Sequence, residues 1–444
     1  MLLVFKRYFP RSIRDALHLF LAWWGSIYYG HPSEQLLVIG VTGTSGKSST
    51  IHFLRQILEH AGFTVGSLST VDFYIAGKET LNDQKMTMLG RMQIQKYLRE
   101  MVSAGCDIAI IETTSEGYVQ HRHRFINYDT IVLTNLYPEH IESHGSFEKY
   151  KAAKLGIFRY VAGCGRKKFE SGIRNLPTGQ AGQESGGCID ISKTAVVNSA
   201  SEYAEEFLSF DFGKKIKFLA QGVQNDANGI SFSADGHTFR APIYGVHHAH
   251  NIAAAIAVAR TLAVPVETIA DAVQTLKPPP GRQEFIREAE TLGFKAIVDY
   301  AFEPVAMKAL YDMVDMLHPK KIIHVFGSTG GGRDVARRGT VGKFVGEHAD
   351  TCIITNEDPY DDDPIAIMDD ILRAVQSAGK RDGETLFKIL DRKEAIAKAI
   401  SLARQGDVVL VTGKGSEQGM VIRGTIVPWD DRVIVRECLK GRKS

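Results

Sequence analysis

The strongest constraint on the fold is a glycine-rich loop that separates an apolar segment from a helix-like one. The apolar segment is residues 36–39, the loop is residues 40–50, and residues 51–58 have helical apolar spacing. A strand, a glycine loop and a helix in this order typically bind phosphate, because loop N–H groups surround the anion and the helix N-terminus adds partial positive charge. Lys47 is positioned to reach the outer phosphates, and the Ser48 hydroxyl to bind Mg²⁺. The stretch therefore predicts an ATP site with magnesium.

The loop departs from the usual P-loop spacing, which places a glycine where this chain has Val41. It follows the tighter pattern Gly-x-x-Gly-Lys-Ser over residues 43–48. The alternative is a glycine turn that happens to precede a helix, but the joint presence of strand, glycines, lysine and hydroxyl favours a nucleotide loop. The predicted nucleotide contacts of this loop are Gly43, Thr44, Ser45, Gly46, Lys47, Ser48 and Ser49.

Length and composition limit the class of protein. At 444 residues the chain is too long for a single core and suggests two or three domains. A net charge of +2 with dispersed basic residues gives no reason to expect a nucleic-acid partner. The five cysteines are odd in number and lack a C-x-x-C pair, which argues against a disulfide framework or a zinc ribbon. Together with ATP use, this predicts a cytoplasmic protein.

The N-terminal segment combines basic and aromatic residues. Four basic residues precede the apolar and aromatic run of residues 16–29, namely Lys6, Arg7, Arg11 and Arg14. His18 interrupts the run, which is shorter than a bilayer-spanning helix. Two interpretations stay open. One is a helix that packs on the nucleotide-binding domain, and the other is an interfacial helix through which residues 1–30 make peripheral contact with the inner membrane.

Residues 42–49 resemble the nucleotide loop of the Mur ligases, the ATP-dependent amide-forming enzymes that build the peptidoglycan stem peptide. Later motifs are most similar to the members that add its third residue. The resemblance implies an α/β fold, with a central P-loop ATPase domain of mostly parallel sheet over residues 36–279. A Rossmann-like doubly wound domain that binds the amino acid is expected over residues 280–444. Those members carry a whole N-terminal domain for the UDP moiety, whereas residues 1–35 predict only a short helical segment.

Several polar residues follow strands in the predicted ATPase domain. Residues 107–112 form an apolar run that ends in Glu112. Because ligands of open α/β sheets lie at the carboxyl ends of strands, Glu112 is a candidate magnesium ligand, and a solvent-facing strand terminus is the alternative. By the resemblance, Thr114 and Ser115 contact the acid substrate, and so does Thr87, although its neighbours differ from the usual pattern.

The most specific signal is the segment of residues 135–158. It is similar to the Mur ligase segment that supplies a magnesium-binding histidine, here His140, and a lysine that CO₂ carbamylates, here Lys154. An ammonium would repel Mg²⁺, whereas a carbamate offers anionic oxygens. The alternative for Lys154 is an exposed helix lysine with its stem on apolar surface. The resemblance thus implies four catalytic residues: Lys47, Glu112, His140 and Lys154.

The resemblance also implies nucleotide contacts outside the loop. Asn251, in the histidine-rich opening of a predicted helix, matches an asparagine that pairs with adenine. Arg282 follows a proline run and matches an arginine for the terminal phosphate. Asp299 matches an aspartate in the segment that closes over ATP. Arg333, in a glycine loop similar to that of the family's C-terminal domain, is instead a predicted substrate residue.

Two loops are expected to select the amino acid. Residues 355–360 are similar to the motif that recognises meso-diaminopimelate, but Tyr360 replaces its carboxylate-binding arginine. The acidic residues here, including Asp358, favour a cationic amino acid such as lysine or ornithine, and a solvated acidic loop is the alternative. Gly413 and Glu417 are similar to a loop that holds the incoming amino acid.

The resemblance implies that ATP phosphorylates a carboxylate of UDP-MurNAc-L-Ala-D-Glu and that an amino acid then attacks the acyl phosphate. A related ligase for a lipid-linked or polymeric carboxylate is the second reading, since it accounts for the short, apolar N-terminus. A nucleotide-binding regulator is the non-enzymatic reading. The protein is expected to be a monomer.

Overall fold

The computed structural model describes residues 11–82, 86–138, 145–169, 189–226, 228–332 and 335–443. The chain divides into two compact units, Met1–Lys277 and Pro278–Ser444, and each is described by itself below.

The first unit contains thirteen strands and eight α-helices among its described residues. The helices are α1 (Arg11–Tyr28), α2 (Lys47–His60), α3 (Arg91–Ser103), α4 (Ser115–Val119), α5 (Phe147–Ala162), α6 (Ala204–Leu208), α7 (Val246–Thr261) and α8 (Val266–Gln274). The strands are β1 (Leu37–Thr42), β2 (Val65–Leu68), β3 (Asp72–Ile75), β4 (Lys78–Leu81), β5 (Ile108–Glu112), β6 (Thr130–Leu133), β7 (Lys167–Phe169), β8 (Ile189–Ile191), β9 (Thr194–Asn198), β10 (Lys214–Phe218), β11 (Gln221–Asp226), β12 (Gly229–Ala234) and β13 (His237–Ala241).

An eight-stranded sheet of order β10-β9-β6-β1-β5-β2-β3-β4 organises this unit. β1 pairs in parallel with β5 on one side and with β6 on the other, so three carboxyl ends meet where the glycine loop leaves β1. Strands β3 and β4 are antiparallel additions at one edge. The predicted α/β fold with a mostly parallel sheet is confirmed.

Both faces of this sheet are covered by helices. Leu37, Ile39 and Val41 pack with α2 and α7 on one face, whereas Leu36 and Val38 pack with α3 and α5 on the other. A strand buried on both faces reads as a continuous apolar run, as residues 36–39 do. Strands β11, β12 and β13 form a separate antiparallel three-stranded sheet.

The second unit has a six-stranded sheet of order β14-β15-β19-β16-β17-β18, parallel except for β14. Its strands are β14 (Glu284–Phe285), β15 (Lys295–Asp299), β16 (Ile322–Phe326), β17 (Thr351–Ile354), β18 (Leu386–Lys388), β19 (Val408–Thr412), β20 (Gly419–Ile422) and β21 (Thr425–Pro428). Its helices are α9 (Pro304–Asp315), α10 (Val335–His348), α11 (Pro364–Ser377), α12 (Arg392–Leu402) and α13 (Asp431–Lys443). The alternation of strand and helix matches the predicted second parallel α/β sheet.

The N-terminal helix α1 packs against α3. The Arg99 guanidinium donates from Nε to the carbonyl oxygen of Tyr29 and from Nη2 to that of Gly30, both at 2.7 Å, and this fixes the end of the helix. A Cβ at Gly25 would lie 3.0 Å from the Met92 sulfur, so the two helices approach closely there. Among the residues that the structure describes, no helix combines the length and the apolarity needed to cross a membrane.

Candidate functional site

The glycine loop connects β1 to α2 with two residues in unusual backbone conformations. Gly43 has φ 155°, and Gly46 has φ 77° immediately before α2 begins at Lys47. A Cβ built on Gly46 would lie 2.2 Å from Oδ1 of Asn251 on α7. Gly46 is therefore required both by its left-handed backbone and by the close approach of Asn251. The structure thus brings the predicted adenine contact to the predicted phosphate loop.

Residues that follow β6 hold the loop in shape. Asn135 Oδ1 accepts hydrogen bonds from the backbone N–H groups of Thr44, at 3.1 Å, and Ser45, at 2.9 Å. The Thr134 hydroxyl donates to the Ser45 carbonyl at 2.7 Å. Asn135 Oδ1 therefore takes two N–H groups of the kind that would otherwise bind phosphate oxygens.

Two lysines converge on one carbonyl oxygen of the loop. Lys47 Nζ donates to the Gly43 carbonyl oxygen at 3.1 Å and to that of Thr44 at 2.9 Å. Lys154 Nζ, from the middle of α5, donates to the same Gly43 oxygen at 2.7 Å. Lys154 is only 1% exposed, so the solvent-exposed helix lysine considered from sequence is not what the structure shows.

Ser48 and Glu112, two of the predicted magnesium ligands, are in contact. Ser48 Oγ donates to Glu112 Oε2 at 2.9 Å, and the backbone N–H and hydroxyl of Thr70 donate to the same oxygen at 2.7 and 2.9 Å. Glu112 is 2% exposed at the carboxyl end of β5, so the alternative of a solvent-facing strand terminus does not apply. A hydroxyl and a carboxylate are hard oxygen donors that suit Mg²⁺.

Two further loops on the same unit contact each other. Thr114 caps the N-terminus of α4 by accepting from the Gly117 N–H at 3.0 Å, and a Cβ at Gly117 would lie 2.2 Å from the Met88 sulfur. The segment that holds Thr87 therefore packs against the segment that holds Thr114 and the buried Ser115. The structure brings together the three residues predicted to meet the acid substrate.

In the second unit, Asp299 supports a turn. Its carboxylate accepts from the N–H groups of Gln283 and Ala301, each at 2.6 Å. Burial raises the pKa of Asp299, and the Arg282 guanidinium opposes that shift. Arg282 lies over the Tyr300 ring at 4.6 Å from its centroid. Asp299 thus fixes the backbone beside Arg282.

Asp358 and Glu417 share one ammonium. The Lys414 Nζ donates to Asp358 Oδ2 at 2.8 Å and also to Glu417 Oε2. The other Asp358 oxygen accepts from the Val421 N–H at 2.6 Å. Asp358 is 3% exposed, so its charge offsets that of Lys414 inside the protein, and the solvated acidic loop consists of other residues. Those exposed acids are Asp361, Asp362 and Asp363.

The residue before Asp358 is a buried acid that sequence reasoning did not select. Glu357 Oε2 has no hydrogen-bond partner among the residues that the structure describes, and burial raises the pKa of Glu357 to about 7. Arg392 and Lys414 oppose this shift, while Asp358 and Glu417 add to it. A Cβ at Gly413, which has φ 105°, would lie 2.3 Å from that oxygen. The predicted amino-acid loop at Gly413 therefore passes directly over Glu357.

Other residues outside the predicted set contribute to these sites. Arg122 donates to the Met88 carbonyl oxygen, and Asn135 and Thr70 hold the loop and Glu112. The signal available in sequence was position alone, since Asn135 follows a predicted strand. Two predicted residues, His140 and Arg333, lie outside the described residues.

Comparisons with known proteins agree on one family. Residues 41–169 match the family model for the Mur ligase middle domain, and residues 281–415 match that for the Mur ligase, glutamate ligase domain. The UDP-N-acetylmuramyl-tripeptide synthetase of Roseiflexus sp. (strain RS-1) is 33% identical over 431 residues, which cover 93% of this chain and 80% of that protein. The UDP-N-acetylmuramoyl-L-alanyl-D-glutamate--2,6-diaminopimelate ligase 2 of Clostridium acetobutylicum is 31% identical over 422 residues, which cover 93% of this chain and 80% of that protein.

Solved structures show the same fold. A UDP-N-acetylmuramoyl-L-alanyl-D-glutamate--2,6-diaminopimelate ligase superposes with a TM-score of 0.60 at 24% identity, covering 92% of this chain and 79% of that one. Folylpolyglutamate synthase of Mycobacterium tuberculosis superposes with a TM-score of 0.66 at 16% identity, and the match covers 90% of this chain and 93% of that one.

The P-loop, its lysine and the adjoining Ser48–Glu112 contact define a nucleotide-dependent enzyme of α/β fold. The chain belongs to the Mur ligase family, the ATP-dependent amide-forming ligases that use Mg²⁺.

Proposed function

We propose that this chain is a cytoplasmic ligase of peptidoglycan precursor synthesis that adds an amino acid to UDP-MurNAc-L-Ala-D-Glu through an acyl phosphate. The observation that carries the proposal is the cluster at the loop, where Lys47 and Lys154 meet at Gly43 beside the Ser48–Glu112 contact. The identity to a tripeptide synthetase supports the same acceptor.

The chain's own groups suit the chemistry. The N–H groups of Thr44 and Ser45, with Lys47, would bind the ATP phosphates after Asn135 releases them. Ser48 and Glu112 would hold Mg²⁺, which supplies charge neutralisation at the phosphates. Thr87, Thr114 and Ser115 would orient the acceptor carboxylate. Ser115 is buried, and Thr87 and Thr114 are half-buried.

We also propose that Lys154 functions as its carbamate. The neutral amine of Lys154 would attack CO₂, so that an N–C bond forms and a proton is released. The buried position and the contact of two ammonium groups with one carbonyl support this, since an anionic group there would relieve the repulsion between the lysines. The test is ¹³C NMR with ¹³C-bicarbonate. A carbamate signal is expected in the native chain and not in Lys154→Arg, and equal spectra would contradict the proposal.

For the amino acid we propose a cationic side chain, lysine or ornithine, rather than meso-diaminopimelate. The support is the unpartnered oxygen of Glu357, the partly exposed Glu417 and the absence of arginine at Tyr360. The relatives do not decide this point, because both tripeptide synthetases and diaminopimelate ligases are among them.

The test of the main proposal is mass spectrometry of products from UDP-MurNAc-L-Ala-D-Glu, ATP and single amino acids. A gain of one residue's mass with lysine or ornithine is expected, and Lys47→Ala serves as the inactive control. Absence of product with every amino acid, from protein shown to bind ATP, would reject this acceptor.

A second candidate is a ligase for a lipid-linked or polymeric carboxylate, acting as a monomer that touches the inner membrane through residues 1–30. The observation that favours it is the outward face of α1, defined as eight large apolar side chains that are 40–66% exposed. They are Ile13, Leu17, Leu19, Phe20, Trp23, Trp24, Ile27 and Tyr28. A lipid-linked acceptor that yields product when the UDP-linked one does not would establish this alternative.

A further inference from the structure

The inward face of α1 begins with the polar residues Arg14 and His18 and continues with the buried small residues Ala22, Gly25 and Ser26; near its start it meets basic residues from two other elements. Arg14 and His18 lie one turn apart on α1, Arg91 is the first residue of α3, and His121 and Arg122 lie just after α4. These five residues, called here the inner cationic cluster, are all partly buried. The helix therefore has the reverse of the usual arrangement, in which the apolar side of an amphipathic helix faces the protein.

The cluster has an unusual number of unsatisfied nitrogens. Buried atoms without a hydrogen-bond partner, among the described residues, include Arg14 Nε, His18 Nδ1, Arg91 Nε, His121 Nδ1 and Arg122 Nε. Each buried donor without an acceptor costs about 1–3 kcal/mol. Three arginine Nε–H donors and two histidine ring nitrogens, from three elements around one junction, indicate a place where a ligand with several oxygens would bind.

The charge at this junction is positive. Burial is the main cause that lowers the pKa of His18 and of His121, and Arg91 lowers both further. Asp15 opposes both shifts. Burial lowers the pKa of Arg122, and Glu116 opposes that shift. Burial and then Arg122 lower the pKa of Arg91 to about 10, so it stays charged at neutral pH. Arg91, Arg122 and Arg124 thus act on this junction against two carboxylates, Asp15 and Glu116, and an added anion would offset the excess.

The outward face of α1 indicates where the anion comes from. Leu17 is exposed beside His18 and belongs to that apolar face, and Trp23 and Trp24 are residues that favour the membrane–water interface. Val119 and Phe125, which flank His121 and Arg122 in sequence, are also exposed apolar side chains, and Arg124 between them is exposed. Basic Lys6 and Arg7 precede the helix in sequence. Apolar and aromatic surface next to cations fits an anionic lipid.

We propose that the inner cationic cluster binds the phosphate group of an anionic lipid while the outward face of α1 lies in the interfacial layer of the bilayer. The inference rests on the membrane contact of the second candidate above, but not on which acceptor the ligase uses. It assigns to α1 a ligand site of its own, separate from the nucleotide loop.

The experiment compares vesicle binding by the full chain and by three variants. Each variant is first shown to have the same unfolding temperature as the full chain. Vesicles contain phosphatidylcholine alone or with phosphatidylglycerol, and bound protein is measured by co-sedimentation. The double variant R14Q/H18Q changes the cluster, F20S/W24S changes the outward face, and R240Q removes one exposed arginine of β13 as the matched control.

The full chain and R240Q are expected to bind phosphatidylglycerol vesicles about tenfold more tightly than phosphatidylcholine vesicles. R14Q/H18Q should lose about fivefold or more on the anionic vesicles alone, and F20S/W24S should lose binding to both. Anionic vesicles bound equally by R14Q/H18Q and R240Q would overturn the proposal.

A second arm identifies the source of the phosphate. Inorganic phosphate and glycerol 3-phosphate are titrated against the full chain while the histidine ring signals are followed by NMR. Weak binding of these probes that R14Q/H18Q removes, together with vesicle binding, supports a lipid headgroup. Tight probe binding without any vesicle binding assigns the site to a soluble phosphate ester and rejects the lipid. Ligase activity on soluble substrates is measured in parallel, so failure of one proposal leaves the other testable.

Discussion

Lys47 and Lys154 donate hydrogen bonds to the same carbonyl oxygen, that of Gly43, although Lys47 belongs to the nucleotide loop motif and Lys154 lies 111 residues after Gly43. One lysine lies on the loop helix α2 and the other on α5, so the loop backbone is the point where both helices contribute charge. This relationship links the two lysines that are predicted to be catalytic.

Lys154→Ala is expected to lower turnover about 10²-fold or more, because the carbamate proposed for this side chain would no longer offer anionic oxygens to Mg²⁺ beside Gly43. Added CO₂ should not restore activity. The measurement is steady-state product formation, and ATP affinity is determined by calorimetry to separate binding from catalysis. Lys151→Ala, three residues away on the same helix and paired with acids at the surface, is the matched control and should keep its activity. A fully active Lys154→Ala enzyme would rule out the carbamate role.

Gly46→Ala is expected to weaken both the fold and nucleotide binding. The residue has φ 77°, and its Cβ would meet Asn251 Oδ1 at 2.2 Å, so about 1–3 kcal/mol of stability should be lost. Gly77→Ala isolates the backbone effect, because Gly77 has φ 90° with nothing within 4 Å of the added Cβ. Chemical denaturation and ATP titration measure the difference. Equal losses in the two variants would show that the Asn251 contact is unimportant.

Asn135→Asp is expected to weaken ATP binding about tenfold or more. The substitution places a negative charge against the N–H groups of Thr44 and Ser45, where it competes with phosphate and repels it. Calorimetric titration with ATP measures the change. Asn228→Asp, at an exposed residue between β11 and β12, introduces the same charge elsewhere and should leave affinity unaltered. If both variants bound ATP equally, the side-chain amide of Asn135 would have no role in ATP binding by the glycine loop.

Glu357 should make the second unit less stable as pH rises. Burial holds its pKa at about 7, above the ordinary value of 4.5, so the folded state binds more protons between these limits. The unfolding free energy should therefore fall by up to about 3 kcal/mol from pH 4.5 to pH 7 and change little above that from this group. Glu357→Gln should flatten this dependence in thermal unfolding, whereas Asp361→Asn, an exposed acid in the same loop, should not. A Glu357→Gln profile parallel to that of the native chain would contradict the assignment.

The sequence supported prediction of the α/β fold and the nucleotide loop because both depend on local patterns. An apolar run such as residues 36–39 and a glycine loop before a helix are readable without knowing what lies nearby. Glu112 could also be predicted, because ligands of such sheets bind at the carboxyl ends of buried strands.

Other features depend on register and orientation, which sequence does not give. Asn135 reaches the loop because β6 pairs with β1 in a particular register, and the burial of Lys154 depends on how α5 lies on the sheet. The pattern of α1 shows an apolar and a polar side but not which side meets α3. Sequence could not distinguish Glu357 from Asp358, because the two neighbouring acids differ in their hydrogen-bond partners rather than in residue type.

The glycine loop is local in sequence, yet its supports come from much later in the chain. Asn135 reaches Ser45 across 90 residues, Lys154 reaches Gly43 across 111, and Asn251 on α7 closes against Gly46. During synthesis the loop emerges early and stays without these partners until α7 has been made, so its final form depends on contacts that close late. Truncated or stalled chains that end before α7 would contain the full nucleotide motif but would lack the contact between Asn251 and Gly46.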